Sequence, residues 1–289
     1  MNMKFSVSSY SYSQLTSSGK YTEKGLIALA KEMGFDGIEF AEIHAPEGTD
    51  KKEYAKALKA EAEKHEIEIA AYCIGANLIY DTEKEIERLK GEIDVCEALG
   101  CKVMRHDATG GYSKEDKKKG LGFNNALPTI IKGYKAVTEY AKTKGIKTCI
   151  ENHGFFAQDS SRVEAIINGV NDENFGALVD IGNFLCADED PAVAVGNVAP
   201  YAVHVHAKDF HKKTGNEFVA PDGFFMTRGG NFLRGAIIGH GVVPVVQCLR
   251  ILKNAGYNGY VTVEFEGMEN AETGVKCGLN SLKKADELI

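Results

Sequence analysis

Apolar residues follow two alternating rhythms along this chain. A helical spacing of three and four gives way to a short β-rich run, and a glycine stands between them. The phrase recurs in "LIALAKEMGFDGIEF", "IDVCEALGCKVMR", "YAKTKGIKTCIEN" and "CLRILKNAGYNGYVTVEF". A glycine after the last helical residue can take the left-handed conformation that closes a helix, so Gly34, Gly100, Gly145 and Gly256 mark helix ends and the start of new strands. Counted this way, strands fall near residues 5–9, 37–40, 67–73, 102–105, 147–151, 177–180, 202–206 and 260–264. Helices lie between them, and a last one over 273–288 follows from the spacing of Val275, Leu279, Leu282 and Leu288. Asp190 before Pro191 is a helix start, a side-chain acceptor followed by a residue whose missing N–H is not needed there.

Eight short apolar strands alternating with helices indicate parallel pairing with the helices outside, and closure removes the exposed sheet edges. The expected fold is α/β, a single (β/α)8 barrel spanning residues 1–289. Barrels of this kind commonly reach about 250 residues as one unit. An open doubly wound sheet is the runner-up, but its usual Gly-rich turn is absent after the first strand, which reads "SSYSYSQLTSSGK". One stretch breaks the rhythm. Residues 207–241 form a connection far longer than the usual ~2 to 6 residues. Its aromatic content argues against disorder, so it is expected to be a long loop after strand 7, folded over the barrel mouth.

Composition narrows the partners. Hydrophobic residues make up 44% and charged residues 26% of the 289, the balance of a globular protein. A net charge of −7 offers no basic field for nucleic acid or anionic lipid, and Lys117 to Lys119 read as a solvated loop. Nothing approaches the roughly 18 consecutive apolar residues of a membrane span, and the polar N-terminus is not a leader, so the expectation is a cytoplasmic protein. Self-association into a homo-oligomer stays open. The 7 cysteines include no CxxC pair and sit within apolar patterns, as reduced core residues do.

The informative residues are polar ones ending four apolar strands: Glu151 in "KTCIENHG", Asp180 in "GALVDIGN", His206 in "AVHVHAKD" and Glu264 in "YVTVEFEG". Alternate residues of a strand share a face, so Cys149, Leu178, His204 and Thr262 point inward with them, while Ile150, Val179, Val205 and Val263 face the helices. Singly, each has an ordinary explanation as a helix cap, an ion pair or a core histidine. Together, three carboxylates meeting at one mouth repel each other unless a cation sits among them. Oxygen donors with one imidazole suit one divalent ion, Mn²⁺ first and Mg²⁺ or Co²⁺ as alternatives, and the lack of thiolates argues against structural zinc.

At these residues the sequence resembles the sugar-phosphate isomerase/epimerase family of xylose isomerase-like barrels, which includes the D-tagatose 3-epimerase type. The likeness runs through "GFDGIEF", "CIEN", "VDIGN", "HVHAKD" and "GHGVVPVVQCLRILKNAGYNGYVTVEFEG". It implies a TIM barrel acting on a small-molecule carbohydrate, with Glu151, Asp180, His206 and Glu264 as metal ligands. Glu151 and Glu264 would also move protons, passing through an enediolate held by the ion. The pattern departs from the ketose epimerases after the fifth strand, where "ENHGFFAQ" lacks a second glutamate, and Asn183 stands near the place of a histidine.

Further candidates for substrate contact are Arg105, His153 and Lys208, by their shared inward face, together with Asn183 and Glu39. Asp209 is expected to orient a ligand from behind. Arg228, Arg234 and His240 on the long loop are candidates for an anionic group, or simply hold the loop. The same constellation could serve a lyase, as in inosose dehydratase relatives or the barrel subunit of C-glycoside-cleaving enzymes. A sugar-binding barrel without catalysis would be expected to have lost one of the four ligands. A DNA-repair endonuclease would need a basic groove and more than the 8 histidines present.

Overall fold

The computed structural model describes residues 3–216 and 219–289. Its strands in chain order are β1 (Lys4–Ser8), β2 (Gly37–Phe40), β3 (Glu68–Ile74), β4 (Val103–His106), β5 (Lys147–Glu151), β6 (Phe175–Asp180), β7 (Ala202–Ala207), β8 (Asp209–Lys213), β9 (Phe225–Met226), β10 (Phe232–Ala236) and β11 (Tyr260–Val263). The eight principal helices are α1 (Glu23–Met33), α2 (Lys51–Lys64), α3 (Thr82–Leu99), α4 (Phe123–Lys142), α5 (Ser160–Val170), α6 (Pro191–Val198), α7 (Val245–Asn254) and α8 (Ala271–Asp286).

Eight of the strands close into a parallel barrel in the order β1-β11-β7-β6-β5-β4-β3-β2, so the expected architecture is the observed one. The glycines at 34, 100, 145 and 256 all have positive φ, between 64° and 90°, where a side chain would be strained. Asp190 caps α6 as expected, accepting from Val193 N at 3.0 Å. The last helix starts two residues earlier than its apolar spacing suggests, because Asn270 caps it by accepting from Thr273 N at 3.1 Å.

The period-two alternation sorts the strands into two compartments. Ile150, Val179, Val205 and Val263 join the large core between barrel and helices. Ala71, Cys73, Cys149 and Leu178 form a small separate apolar layer inside the barrel. Above it, at the C-terminal ends of the strands, the interior turns polar. The cysteines are unpaired, and Cys277 alone is not fully buried. Lys117 belongs to a short exposed helix (Lys114–Lys118), not a loop. No helix among the described residues is long and apolar enough to cross a membrane.

The connection at 207–241 has structure of its own. It carries a three-stranded antiparallel sheet in the order β8-β10-β9, where the sequence led us to expect a loop. Two aspartates anchor it. Asp188, after β6, accepts from Thr227 Oγ1 at 2.9 Å and Asn231 Nδ2 at 2.7 Å, and also from Gly229 N. Asp209, at the base, accepts from the backbone N–H groups of Phe210, Gly239, Gly241 and Val243 at 2.8, 2.9, 2.8 and 3.0 Å. Gly241 lies so close that an added Cβ would stand 2.2 Å from Asp209 Oδ1. The excursion is therefore closed at its root by one carboxylate.

Asp209→Ala would leave four N–H groups without that acceptor. It is expected to lower stability by about 3 kcal/mol, since each unsatisfied buried donor costs roughly 1–3 kcal/mol and some will find water. Urea unfolding measures this, and a loss below about 1 kcal/mol would refute the anchoring role.

Candidate metal centre

β5, β6, β7 and β11 are neighbours in the closed sheet, so side chains at their C-terminal ends converge at one side of the barrel mouth. Register places Asp180 beside His206, and His206 beside Thr262, two residues before Glu264. One donor atom from each of Glu151, Asp180, His206 and Glu264 lies within 4.8 Å of every other, and all four residues are buried. His206 Nδ1 is 3.7 Å from Glu151 Oε1, 4.0 Å from Asp180 Oδ2 and 3.4 Å from Glu264 Oε2.

Asp180 and His206 each commit one donor atom to the protein and turn the other toward the centre, while Glu151 has both oxygens engaged. Asp180 Oδ1 accepts from Gly182 N and Asn183 N at 2.8 and 2.9 Å. His206 Nε2 is 2.7 Å from Glu39 Oε2, and because a carboxylate only accepts, the imidazole donates there. Glu151 Oε2 is held by the guanidinium of Arg105, and its Oε1 accepts from Asn183 Nδ2 at 3.0 Å. The remaining atoms Asp180 Oδ2, His206 Nδ1 and Glu264 Oε2 are buried without a hydrogen-bond partner. Lys208 Nζ lies 3.4 Å from Asp180 Oδ2 and 2.6 Å from Glu264 Oε2, so an ammonium already faces these two oxygens. Buried polar atoms without a hydrogen-bond partner are rare and expensive. A divalent cation with oxygen and imidazole ligands fits this set, and Glu39 behind His206 is the carboxylate-histidine arrangement that fixes a ligand's tautomer.

The electrostatics carry the same tension. Burial pushes the Asp180 carboxyl up to about 7, the Lys208 ammonium pulling it down and Glu264 and Glu151 adding to the rise. Burial also opposes the Glu264 carboxylate, yet Lys208 and His206 overrule it and hold it well below the usual carboxylate range. Glu39 is likewise kept charged against its burial, by His206 and His204. His204 Nε2 stands 2.9 Å from Glu39 Oε2 and 2.8 Å from Thr262 Oγ1, which meets Ser6 Oγ at 2.6 Å. A buried polar relay thus crosses from β7 to β2 and, through β11, to β1.

Of the other candidates, Arg105 touches Glu151, Asn183 touches Glu151 and Asp180, Lys208 touches Asp180 and Glu264, and Glu39 touches His206. His153 stands at the rim, its Nδ1 3.0 Å from Asp107 Oδ1, and its side chain is about half exposed at 46%. Asp209 touches none of the four. Its carboxylate is taken by the backbone amides at the root of the excursion, so it does not orient a ligand side chain. Arg228 pairs with Asp159 at 2.7 Å and donates to Phe155 O at 2.6 Å, Arg234 reaches Glu269 at 3.5 Å, and His240 is exposed. These three hold or edge the excursion.

Sequence reasoning missed several groups. Glu266 lies 3.2 Å from Lys208 and repeats the inward parity of Glu264, the same signal that singled out His153 and Lys208. Asp107 draws Arg105 and His153 together, at 3.5 and 3.0 Å, from just beyond β4, and it continues the inward parity of Arg105 as His153 continues that of Glu151, so the same signal could have found it. Asn152 faces away from Glu151 yet clasps the end of β6, donating to Asp180 O at 2.9 Å and accepting from Asp180 N at 3.0 Å.

Known proteins share this fold. The inosose dehydratase of Mesomycoplasma hyopneumoniae (strain 7448) is 25% identical over 225 residues, covering 73% of this chain and 73% of that protein. Two solved structures superpose over most of both chains. A xylose isomerase-like TIM barrel protein from Mycobacterium smegmatis in complex with magnesium has a TM-score of 0.72 at 16% identity, over 98% of this chain and 96% of its own. The D-psicose 3-epimerase of Clostridium cellulolyticum H10, solved with D-tagatose, has a TM-score of 0.73 at 16% identity, over 98% and 99%. The model of the family described as xylose isomerase-like TIM barrel matches residues 27–285, from the first helix of the barrel to the last, and to that family the chain belongs.

Proposed function

We propose that this protein is a divalent-metal-dependent enzyme that moves a proton beside the carbonyl of a sugar derivative, as an isomerase or epimerase. The observation that carries the reading is the meeting of four buried donors around a shared centre, three of them with an atom that has no hydrogen-bond partner. A divalent ion held there, with Mn²⁺ the first expectation and Mg²⁺ or Co²⁺ as alternatives, would act as a Lewis acid and acidify the C–H next to a carbonyl. Glu151 and Glu264 reach the centre from β5 and from the end of β11, with β6 and β7 between them in the sheet. One can take the proton from the α-carbon and the other return it, through an enediolate. Return to the opposite face of the same carbon is epimerisation, and return to the neighbouring carbon is isomerisation.

The remaining residues fit supporting roles. The Lys208 ammonium, buried and raised well above its ordinary value by Glu264, Glu266 and Asp180 against the effect of burial, stays charged beside the place where an oxyanion develops. Arg105 and Asn183 fix the Glu151 carboxylate in one orientation. His153, on the open side, can meet a substrate hydroxyl. The burial of the four central side chains keeps water away from the transferred proton.

A second reading is elimination, favoured by the likeness to inosose dehydratase. The same base would remove the α-proton, and a hydroxyl or larger group would then depart from the next carbon. Product analysis with keto-sugars, inososes and 3-keto-glycosides separates the two, since only elimination releases water or an aglycone.

In deuterated solvent, label is expected to enter next to a carbonyl of an accepted keto-sugar in the presence of Mn²⁺. Glu151→Gln and Glu264→Gln should each reduce that exchange at least about a hundredfold, the scale of one acid-base group. Exchange that persists in both variants would refute the assignment.

The pKa of Asp180 gives a second test. It is raised on folding, so this carboxyl stabilises the metal-free fold at acid pH and loses that contribution as pH climbs through about 7. Metal ligands must shed protons, so a bound cation restores stability where the carboxylate is charged. The gap in melting temperature between Mn²⁺-supplemented and chelator-treated protein is therefore expected to widen from pH 6 to pH 8. A gap that is absent, or that narrows, contradicts a cation site at these residues.

A further inference from the structure

The floor of the barrel mouth is charged, but its rim is apolar. Tyr10, Phe155, Phe225, Met226 and Met268 remain between 37% and 61% exposed, and each belongs to a segment that follows the C-terminal end of a barrel strand. Phe155 and Phe225 meet edge to face, with ring centroids 6.4 Å apart, and Phe225 leans on buried Phe210 at 5.8 Å. Met268 packs against the same excursion, so closely that a Cβ on Gly223 would stand 2.4 Å from its Sδ. Tyr10 adjoins the charged floor. Its phenol is raised above the ordinary value first by Glu266, with burial and Glu264 adding to the shift and Lys208 opposing it.

Phe155 is the telling member. Its φ is 64°, a left-handed conformation that a bulky side chain adopts only under constraint. Hydrogen bonds pin both of its backbone groups: its N–H donates to Gln158 Oε1 at 2.6 Å, and its carbonyl accepts from Arg228 Nη2 at 2.6 Å. Gln158 is buried and in turn donates to the carbonyls of Asn152 and Asn183, directly behind the metal-ligand strands. The strain is thus imposed from the site itself, and it presents a ring that is 43% exposed, so burial of that ring does not repay it.

We propose that this rim is a binding subsite for an aromatic substituent on the sugar, which makes aryl-substituted sugar derivatives the preferred ligands over free sugars. The inference rests on the proton-transfer reading only for the sugar half of the ligand. Phe155 follows Glu151 by four residues and is tied through buried Gln158 to Asn152 and Asn183, the latter bonded to Glu151, so a sugar ring seated at the floor directs its substituent against Phe155, Phe225 and Met268. Aromatic edges and a thioether are suited to a planar apolar group. A macromolecule docked on the same rim would instead close the mouth.

Ligand-observed NMR titration of Mg²⁺-supplemented protein with phenyl β-D-glucopyranoside and methyl β-D-glucopyranoside tests this. The phenyl glycoside is expected to bind at least about tenfold more tightly, the effect of burying part of one ring. Phe155→Ala and Phe155→Gly should both erase the preference and leave the methyl glycoside within about twofold of its parent affinity. Phe155→Gly should melt no lower than the parent, because glycine accepts the left-handed backbone, and this separates loss of the ring from loss of the fold. Equal affinities in the parent, or a preference that survives both Phe155→Ala and Met268→Ala, would overturn the proposal. So would sedimentation showing that these variants dissociate an oligomer while the phenyl preference persists, since the rim would then join copies of the chain. Deuterium exchange keeps the two readings apart. No exchange on any keto-sugar with the aryl preference intact sinks the proton-transfer function alone, whereas equal exchange on aryl-substituted and unsubstituted keto-sugars sinks the rim alone.

Discussion

Repulsion among buried carboxylates is the constraint around which this mouth is built. Glu39, Glu151, Asp180 and Glu264 are all nine-tenths or more buried within one end of a barrel, and the permanent positive charges buried with them are Arg105 and Lys208. Desolvation alone would drive such carboxyls to hold their protons. Instead the chain divides the work. Arg105 holds Glu151 from one side, the histidines hold Glu39 from behind, and Lys208 reaches between Asp180 and Glu264. Asp180 remains the least satisfied of the carboxylates, lifted to about 7. A further positive charge at the centre, as proposed above, would complete this balance.

The same constraint explains why the supporting contacts are so specific. A carboxylate that must present one oxygen inward needs the other fixed, and the chain uses backbone amides for Asp180 and side chains for Glu151. Asn152 and Gln158 extend this order outward, tying the ends of β5 and β6 to each other and to the strained turn at Phe155. Electrostatic demands at the floor are thereby transmitted to the geometry of the rim.

The sequence made the four central residues legible because they end strands, where a period of two tells inside from outside. Cys149 and Leu178, which share their parity, lie inside the barrel, while Ile150 and Val179 lie outside it. Legibility stopped where the strands stopped. Tyr10 lies in the short helical turn after β1, where parity carries no information, whereas Asp107 continues the parity of Arg105 and was within reach of the same signal. Asp209 was expected to orient a ligand from behind, but the chain turns at once into β8 and carries the carboxylate to the root of the excursion. The excursion's sheet was hidden for another reason: β9 spans two residues and β10 is broken by a glycine and an arginine, so neither shows a clean alternation.

The polar relay at the seam of the barrel has a consequence for when the site comes into being. Ser6 meets Thr262 across 256 residues of chain, and Glu39 meets His206 across 167. Contacts that distant in sequence form only after the intervening loops have closed, which places them late in folding. During synthesis the acidic donors therefore emerge one by one, each hydrated and separate, and a nascent chain presents no multidentate chelator that could capture the wrong ion. For the cation proposed here, selectivity would be deferred until the barrel has shut, when the size and rigidity of the finished cage would decide what enters.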